Sequence, residues 1–373
     1  PASQPASGQP RMGAGAAVVR AAAFTVGCLA TPLVLVLFAL LLVVCGLLAA
    51  PLAAWRAATA SGGPGATFRL EKKPRTGPYD LPYLRRAIRT VPALFIGPSA
   101  LLVMICDPQV AMAVNAHSTY ATAPVRRLFE TIKLVYSLTV ADPELQERAV
   151  TYISSKHDDI KGPGYSAQSK ISQTWVWACL VKSIEEQFII CQPETKRVKQ
   201  DHVDAFLTEL YADWRQWGLN FGIPDRLLPQ TRADFAVYYD EAFTQFMPPS
   251  EASRELAAGL FSLSHLWFFL GLRPITWYFE TLAIAFTPPK LQEHEPFNRP
   301  AGAGFVRWSF IFIWRNLPGF VRRVIFFIGA AAMDRAPFPT SHKVKKKSAE
   351  NEPGATGSDS GNKLPVDIEA PAA

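Results

Sequence analysis

Asp142-Pro143-Glu144-Leu145-Gln146-Glu147-Arg148-Ala149-Val150-Thr151-Tyr152-Ile153-Ser154-Ser155-Lys156-His157 is the stretch on which the reading of this chain turns. Aspartate, proline and an acid in that order signal a helix start. The carboxylate can accept from a free N–H of the first turn, the proline has no N–H to leave unpaired, and Glu144 opposes the positive end of the helix. Val150, Ile153 and His157 then recur at i, i+3 and i+7, so the imidazole lies on the stripe that should face the interior. Upstream, Arg127 and Thr131 stand one turn apart among Leu128, Phe129, Ile132, Leu134, Val135 and Leu138, a segment too apolar for a solvated helix. The two helices, Ala123 to Val140 and Pro143 to about His157, are expected to hold the functional site between them.

Working outward, the helical pattern persists. Leu84 to Phe95 reads as a first amphipathic segment, and Ser99 to His117 as a buried one broken at Asp107-Pro108. Gly162-Pro163-Gly164 marks a turn, after which Ser166 can cap a helix running through Trp175, Cys179 and Phe188 to about Cys191. Helices follow at Arg197 to Leu219 and Thr231 to Phe246, where Thr231 and Asp234 have capping-box spacing. Period-2 alternation does not recur, which favours an all-α domain. Leu256 to Phe286 and Phe305 to Ala332 are apolar and aromatic. His265, Arg273 and Glu280 interrupt the first, and Arg307, Arg315, Arg322 and Arg323 the second, so core or membrane-surface helices are expected there rather than spans.

Composition changes sharply along the 373 residues. Residues 1–19, rich in Ala, Gly, Pro and Ser, are expected to be disordered. Residues 20–56 form a run without an internal charge, long enough for a transmembrane anchor; Pro32 and Pro51 leave a re-entrant hairpin open as the alternative. Arg56, Arg69, Lys72, Lys73 and Arg75 outweigh Arg11 and Arg20, which places the downstream domain on the cytosolic side. Residues 57–79 read as a linker, 80–333 as the all-α domain with its apolar C-terminal helices, and 334–373 as a disordered tail. The formal charge is +7, but the basic residues show no groove pattern with interleaved aromatics, so a membrane surface is the expected partner and nucleic acid is not. Five cysteines without a CxxC pair indicate neither a disulfide framework nor a zinc ribbon.

Common catalytic signatures fail. Gly162-Pro163-Gly164 lacks the strand and third glycine of a dinucleotide site, and no GxSxG, HExxH or EF-hand pattern occurs. Of six histidines, His202, His294 and His342 lie in polar surroundings and His265 in an aromatic stretch. His117 and His157 remain, each open between a core histidine with one hydrogen-bond partner and a ligand. One buried imidazole suffices for a haem iron, whereas zinc would need three or four ligands. Without CxxCH any haem would be held noncovalently, and Arg127 could serve as a cation near a propionate or bound oxygen.

The order of several short motifs resembles a known family. Gly97-Pro98-Ser99-Ala100-Leu101-Leu102, Asp107-Pro108 with Val110-Ala111, and Val114 to His117-Ser118 come first; Arg127-Leu128 with Thr131 follows. Then come His157, Lys161-Gly162, Gly164-Tyr165-Ser166-Ala167, Trp175-Val176 with Ala178, and Tyr238-Tyr239 with Glu241. From about Arg85 to Phe246 the chain is similar to the catalytic domain shared by the fungal mpaB oxygenase and the bacterial rubber oxygenases, or latex-clearing proteins. The resemblance implies an all-α, helical haem-binding domain with a globin-like core around haem b, using dioxygen to cleave an isoprenoid carbon–carbon double bond. It places His157 at the axial iron ligand and Arg127 with Thr131 beside the haem pocket, leaving His117 as a further pocket residue. It also implies a lipophilic small-molecule substrate and, as in the mpaB branch, a single-pass anchor with a cytosolic catalytic domain, on the endoplasmic reticulum in a eukaryote. The chain departs from the pattern at Trp177, where many relatives have histidine, and at Glu130, where rubber oxygenases carry lysine; their proposed carboxylate base has no clear counterpart. The reading from a different class is a membrane-bound haem or lipid-binding protein without turnover. Three apolar regions leave a multi-pass channel or transporter as a third.

Overall fold

A helix whose apolar side chains spread round most of its circumference has to be largely enclosed, and Lys170–Cys191 is one: Trp175, Trp177, Ala178, Cys179, Val181, Ile184, Phe188 and Cys191 are buried, and only Ile171, Glu186 and Ile189 are exposed. In the computed structural model this helix is the axis of the fold. The structure describes residues 74–90, 92–119, 124–191, 200–261 and 273–317. The predicted anchor at 20–56, nearly all of the linker and the tail at 334–373 lie outside them.

In chain order the helices are α1 (Pro82–Thr90), α2 (Ala93–Met104), α3 (Pro108–His117), α4 (Pro124–Thr139), α5 (Pro143–His157), α6 (Lys170–Cys191), α7 (Gln200–Asn220), α8 (Arg232–Gln245), α9 (Glu251–Phe261), α10 (Arg273–Ala285) and α11 (Ala303–Asn316). Around α6 pack α1, α2, α7, α8 and α11, while α10 packs on α2 and α11, α9 on α3, and α4 on α5. Among the described residues the strands are one two-residue pair, β1 (Lys161–Gly162) and β2 (Tyr165–Ser166), in register Lys161↔Ser166. The domain is thus mostly helical, as the periodicity predicts.

Several predicted boundaries hold for the predicted reason. Asp107 Oδ1 accepts from Gln109 N at 2.8 Å with Pro108 opening α3, and Asp142 Oδ1 accepts from Leu145 N at 2.9 Å with Pro143 opening α5. Thr231 and Asp234 form the reciprocal capping box of α8. Two boundaries differ. The segment read as Leu84 to Phe95 is split, α1 ending at Thr90 and α2 starting at Ala93, because Pro92 disfavours helix in the residue before it. Ser166 does not cap α6: its hydroxyl accepts from Gln168 N at 3.2 Å inside the hairpin exit, and Ser169 Oγ accepts from Ser172 N at 3.3 Å instead.

Tryptophans join the layers. Met104 and Leu138 lie in the last turns of α2 and α4, where carbonyls have no intrahelical partner. Indole N–H groups supply one: Trp175 Nε1 donates to Met104 O at 3.1 Å, and Trp217 Nε1 to Leu138 O at 3.1 Å. Each such ring also removes apolar surface from water, worth about 2–3 kcal/mol. A third indole, Trp177 Nε1, donates to Trp214 O at 2.8 Å in the middle of α7. That approach needs Gly218, since a β-carbon there would come within 3.2 Å of Trp177 Nε1 and 3.1 Å of both Leu228 methyls. Finally, Asp213, fully buried, accepts from Tyr83 N, Leu84 N and Arg75 Nε at 2.7–2.9 Å, so the N-terminus of α1 is capped from α7 rather than locally.

Candidate functional site

Helix α5 ends at His157 with the stripe Val150, Ile153, His157 partly inward: Val150 is buried, while Ile153 and His157 are half-buried. Burial pushes the His157 imidazole below its ordinary range, Asp158 partly countering and Lys170 adding to the effect. The ring is therefore a neutral base near pH 7. No hydrogen-bond partner of its nitrogens occurs among the described residues.

Helix α4 packs on α5 after a three-residue connection, which makes the pair an antiparallel hairpin. At about 1.5 Å per residue, Arg127 lies roughly level with the last turn of α5, so it and His157 occupy the same end. Arg127 Nε donates to Ser118 Oγ at 3.3 Å, and no carboxylate pairs with the guanidinium among the described residues. Thr131 is exposed and its hydroxyl is committed locally, donating to Arg127 O at 2.9 Å. The other end of the hairpin is fixed to the core by the Trp217 bond to Leu138.

The chain beyond His157 returns to the same end. Pro163-Gly164 turns the β-hairpin, with Gly164 at φ 80°, the left-handed position that a type II turn requires. Strand β2 packs on α3, and Tyr165 Oη lies 3.0 Å from His117 Nε2, the rings edge-on at 5.8 Å. Gly162 makes room for that ring: a β-carbon there would sit 2.5 Å from Tyr165 Oη. His117 and Arg127 are thus linked through neighbouring Ser118 and gathered with Tyr165; among the described residues no hydrogen bond joins His157 to them. Tyr165 and Ser118 were present in the motif series without a role; only the fold shows what they touch.

The departures also find places. Trp177 is a core residue, 1 % exposed and edge-on to Tyr211 and Phe235, so it serves packing here. Glu130 is half-buried on α4. Among the described residues no three His, Cys, Asp or Glu side chains converge as a metal-binding group. Haem would ask the protein for one imidazole, and the His157 ring, with no hydrogen-bond partner among the described residues, has donor chemistry that fits. Two hollows lie away from His157, Arg127 and His117, one between α2, α6 and α8 against Tyr239 and one between α9, α10 and the 296–300 loop.

No single described helix is long and apolar enough to cross a membrane; α2 from Gly97 with α3 would pass by length and composition only as a pair bent by 110°. No curated protein and no solved structure matches the chain. A family model does: the one described as ER-bound oxygenase mpaB/B'/Rubber oxygenase, catalytic domain, matches residues 85–322. The match starts at Arg85 and runs past Phe246 through α9, α10 and α11, more than half of the chain. This chain belongs to the mpaB/rubber oxygenase catalytic-domain family.

Proposed function

We propose that the protein is a membrane-anchored b-type haem oxygenase that cleaves a carbon–carbon double bond in a lipophilic, isoprenoid substrate. The carrying observation is the half-buried His157 imidazole, held neutral by burial and with no hydrogen-bond partner among the described residues. A half-buried imidazole with no protein hydrogen bond keeps a ring nitrogen lone pair available to a metal. When bound, haem supplies the dioxygen activation that turns one double bond into two carbonyl ends.

The chain's own residues do the rest. His157 would hold the iron. Arg127, without a carboxylate among the described residues, offers a cation to a propionate or another anionic group in the pocket. Thr131 braces the turn that presents Arg127, and its hydroxyl oxygen can still accept a hydrogen bond. His117, paired with Tyr165, closes the rim of the same end. Residues 20–56 would hold the domain at a lipid surface, in a eukaryote the endoplasmic reticulum facing the cytosol, where apolar chains partition.

The test is turnover. Haem-loaded full-length protein, given a prenylated phenol under ¹⁸O-labelled dioxygen, should yield shortened carbonyl products with label in the new carbonyl groups. Arg127→Ala should lose more turnover than haem. Haem retention without product across prenylated substrates would instead favour a haem or lipid carrier.

A further inference from the structure

Ser118 stands where α3 stops and meets the arginine of α4 with its hydroxyl. Its backbone is extended, φ −89° and ψ 143°, and its N–H closes α3 by donating to Val114 O at 2.9 Å. The residue before it is pinned as well, since His117 Nε2 lies 3.0 Å from Tyr165 Oη on β2. A hydroxyl on so short a side chain, at a turn held from both sides, has few positions to choose from. Ser118 is half-buried, and its Oγ accepts from Arg127 Nε at 3.3 Å. That bond uses one side of the guanidinium and leaves its end. A guanidinium is a planar fork that can meet a carboxylate side-on, through Nε and one Nη, or end-on, through both Nη nitrogens. With Nε–H given to Ser118, the end-on edge remains, and two parallel N–H groups there match the two oxygens of a carboxylate. Among the described residues no carboxylate pairs with Arg127.

We propose that Ser118 is the positioning residue of Arg127, taking its Nε–H so that the Nη edge is presented to a carboxylate of the bound group. Under the proposed function that carboxylate is a haem propionate, and the proposal rests on that function. The gain is one of readiness. An arginine already held in one rotamer gives up less side-chain freedom when its ligand arrives, so the tie acts on affinity for the acid group. A bond that merely fastened α3 to α4 would be indifferent to whether the ligand carries carboxylates.

That difference is the test. The full-length protein is loaded with haem or with haem dimethyl ester, whose propionates are uncharged, and the loss of each to excess apomyoglobin is followed by the change in the Soret band. Ser118→Ala should speed the loss of haem about three- to tenfold, the worth of one hydrogen bond, and leave the loss of the ester unchanged. Ser118→Thr keeps the acceptor oxygen and should restore the wild-type rate. With Arg127→Ala already in place, Ser118→Ala should add nothing. Threonine and valine at 118 share a shape and differ in that oxygen, so Ser118→Thr against Ser118→Val gives the same comparison if alanine disturbs the turn. Equal acceleration of haem and ester would overturn the proposal, because the fold would then be loosened rather than the guanidinium misplaced. So would no acceleration of either. A wild type that takes up no haem would sink the proposed function and this proposal with it, whereas a wild type that holds haem at a rate indifferent to Ser118 would sink the proposal alone.

Discussion

Trp177 is a packing residue in this chain. Its indole is wedged among Tyr211, Phe235 and Gly218 and spends its N–H on Trp214 O. Trp177→His would leave a cavity and bury a second polar nitrogen, so it should cost about 3 kcal/mol in urea unfolding without adding a ligand to the pocket. Glu185 makes a pH prediction. Burial raises its carboxyl above 4.5, only partly countered by Arg232, and its Oε1 has no hydrogen-bond partner. A carboxyl whose folded value is raised favours the fold when protonated, and that contribution disappears as pH rises through the folded value. Glu185→Gln cannot ionise. Any stability advantage of the wild type over the variant should therefore be largest near pH 4 and shrink by pH 7, as melting temperatures at the two values would show; a constant difference would contradict the assignment.

At the scale of elements, the α4–α5 hairpin is closed against the core at one end and tied to Ser118 through Arg127 near the other. The closed end depends on Trp217, whose N–H fills the free carbonyl of Leu138. Trp217→Phe keeps most of the ring but abandons that carbonyl, and should destabilise by about 1–2 kcal/mol in urea titration. The starts of these elements were legible in the sequence because capping is local: Asp107-Pro108, Asp142-Pro143 and Thr231 with Asp234 carry their own hydrogen-bonding logic within four residues. The start of α1 was not, because its cap is Asp213, 130 residues away from Tyr83 in sequence. For the same reason Tyr165 could not be tied to His117 before the fold was known, the two being 48 residues apart.

For the whole molecule, periodicity and the absence of strand alternation sufficed for the mostly helical class, and the motif order for the family. The role of α6 as axis could not be read from a narrow stripe, since its buried side chains spread round most of its circumference. Periodicity placed His157 on an inward stripe, and the structure finds it half-buried with Arg127 at the same end of the hairpin. Neither stripe nor burial alone distinguishes an iron ligand from a core histidine, and that distinction is the centre of the account. The direct measurement is the ultraviolet–visible spectrum of the purified full-length protein after haem supply, beside His157→Ala with its helical content checked by circular dichroism. The account predicts a Soret band in the wild type that is lost in His157→Ala while helicity is unchanged. A wild type without a Soret band, or a His157→Ala protein that keeps it unaltered, would contradict it.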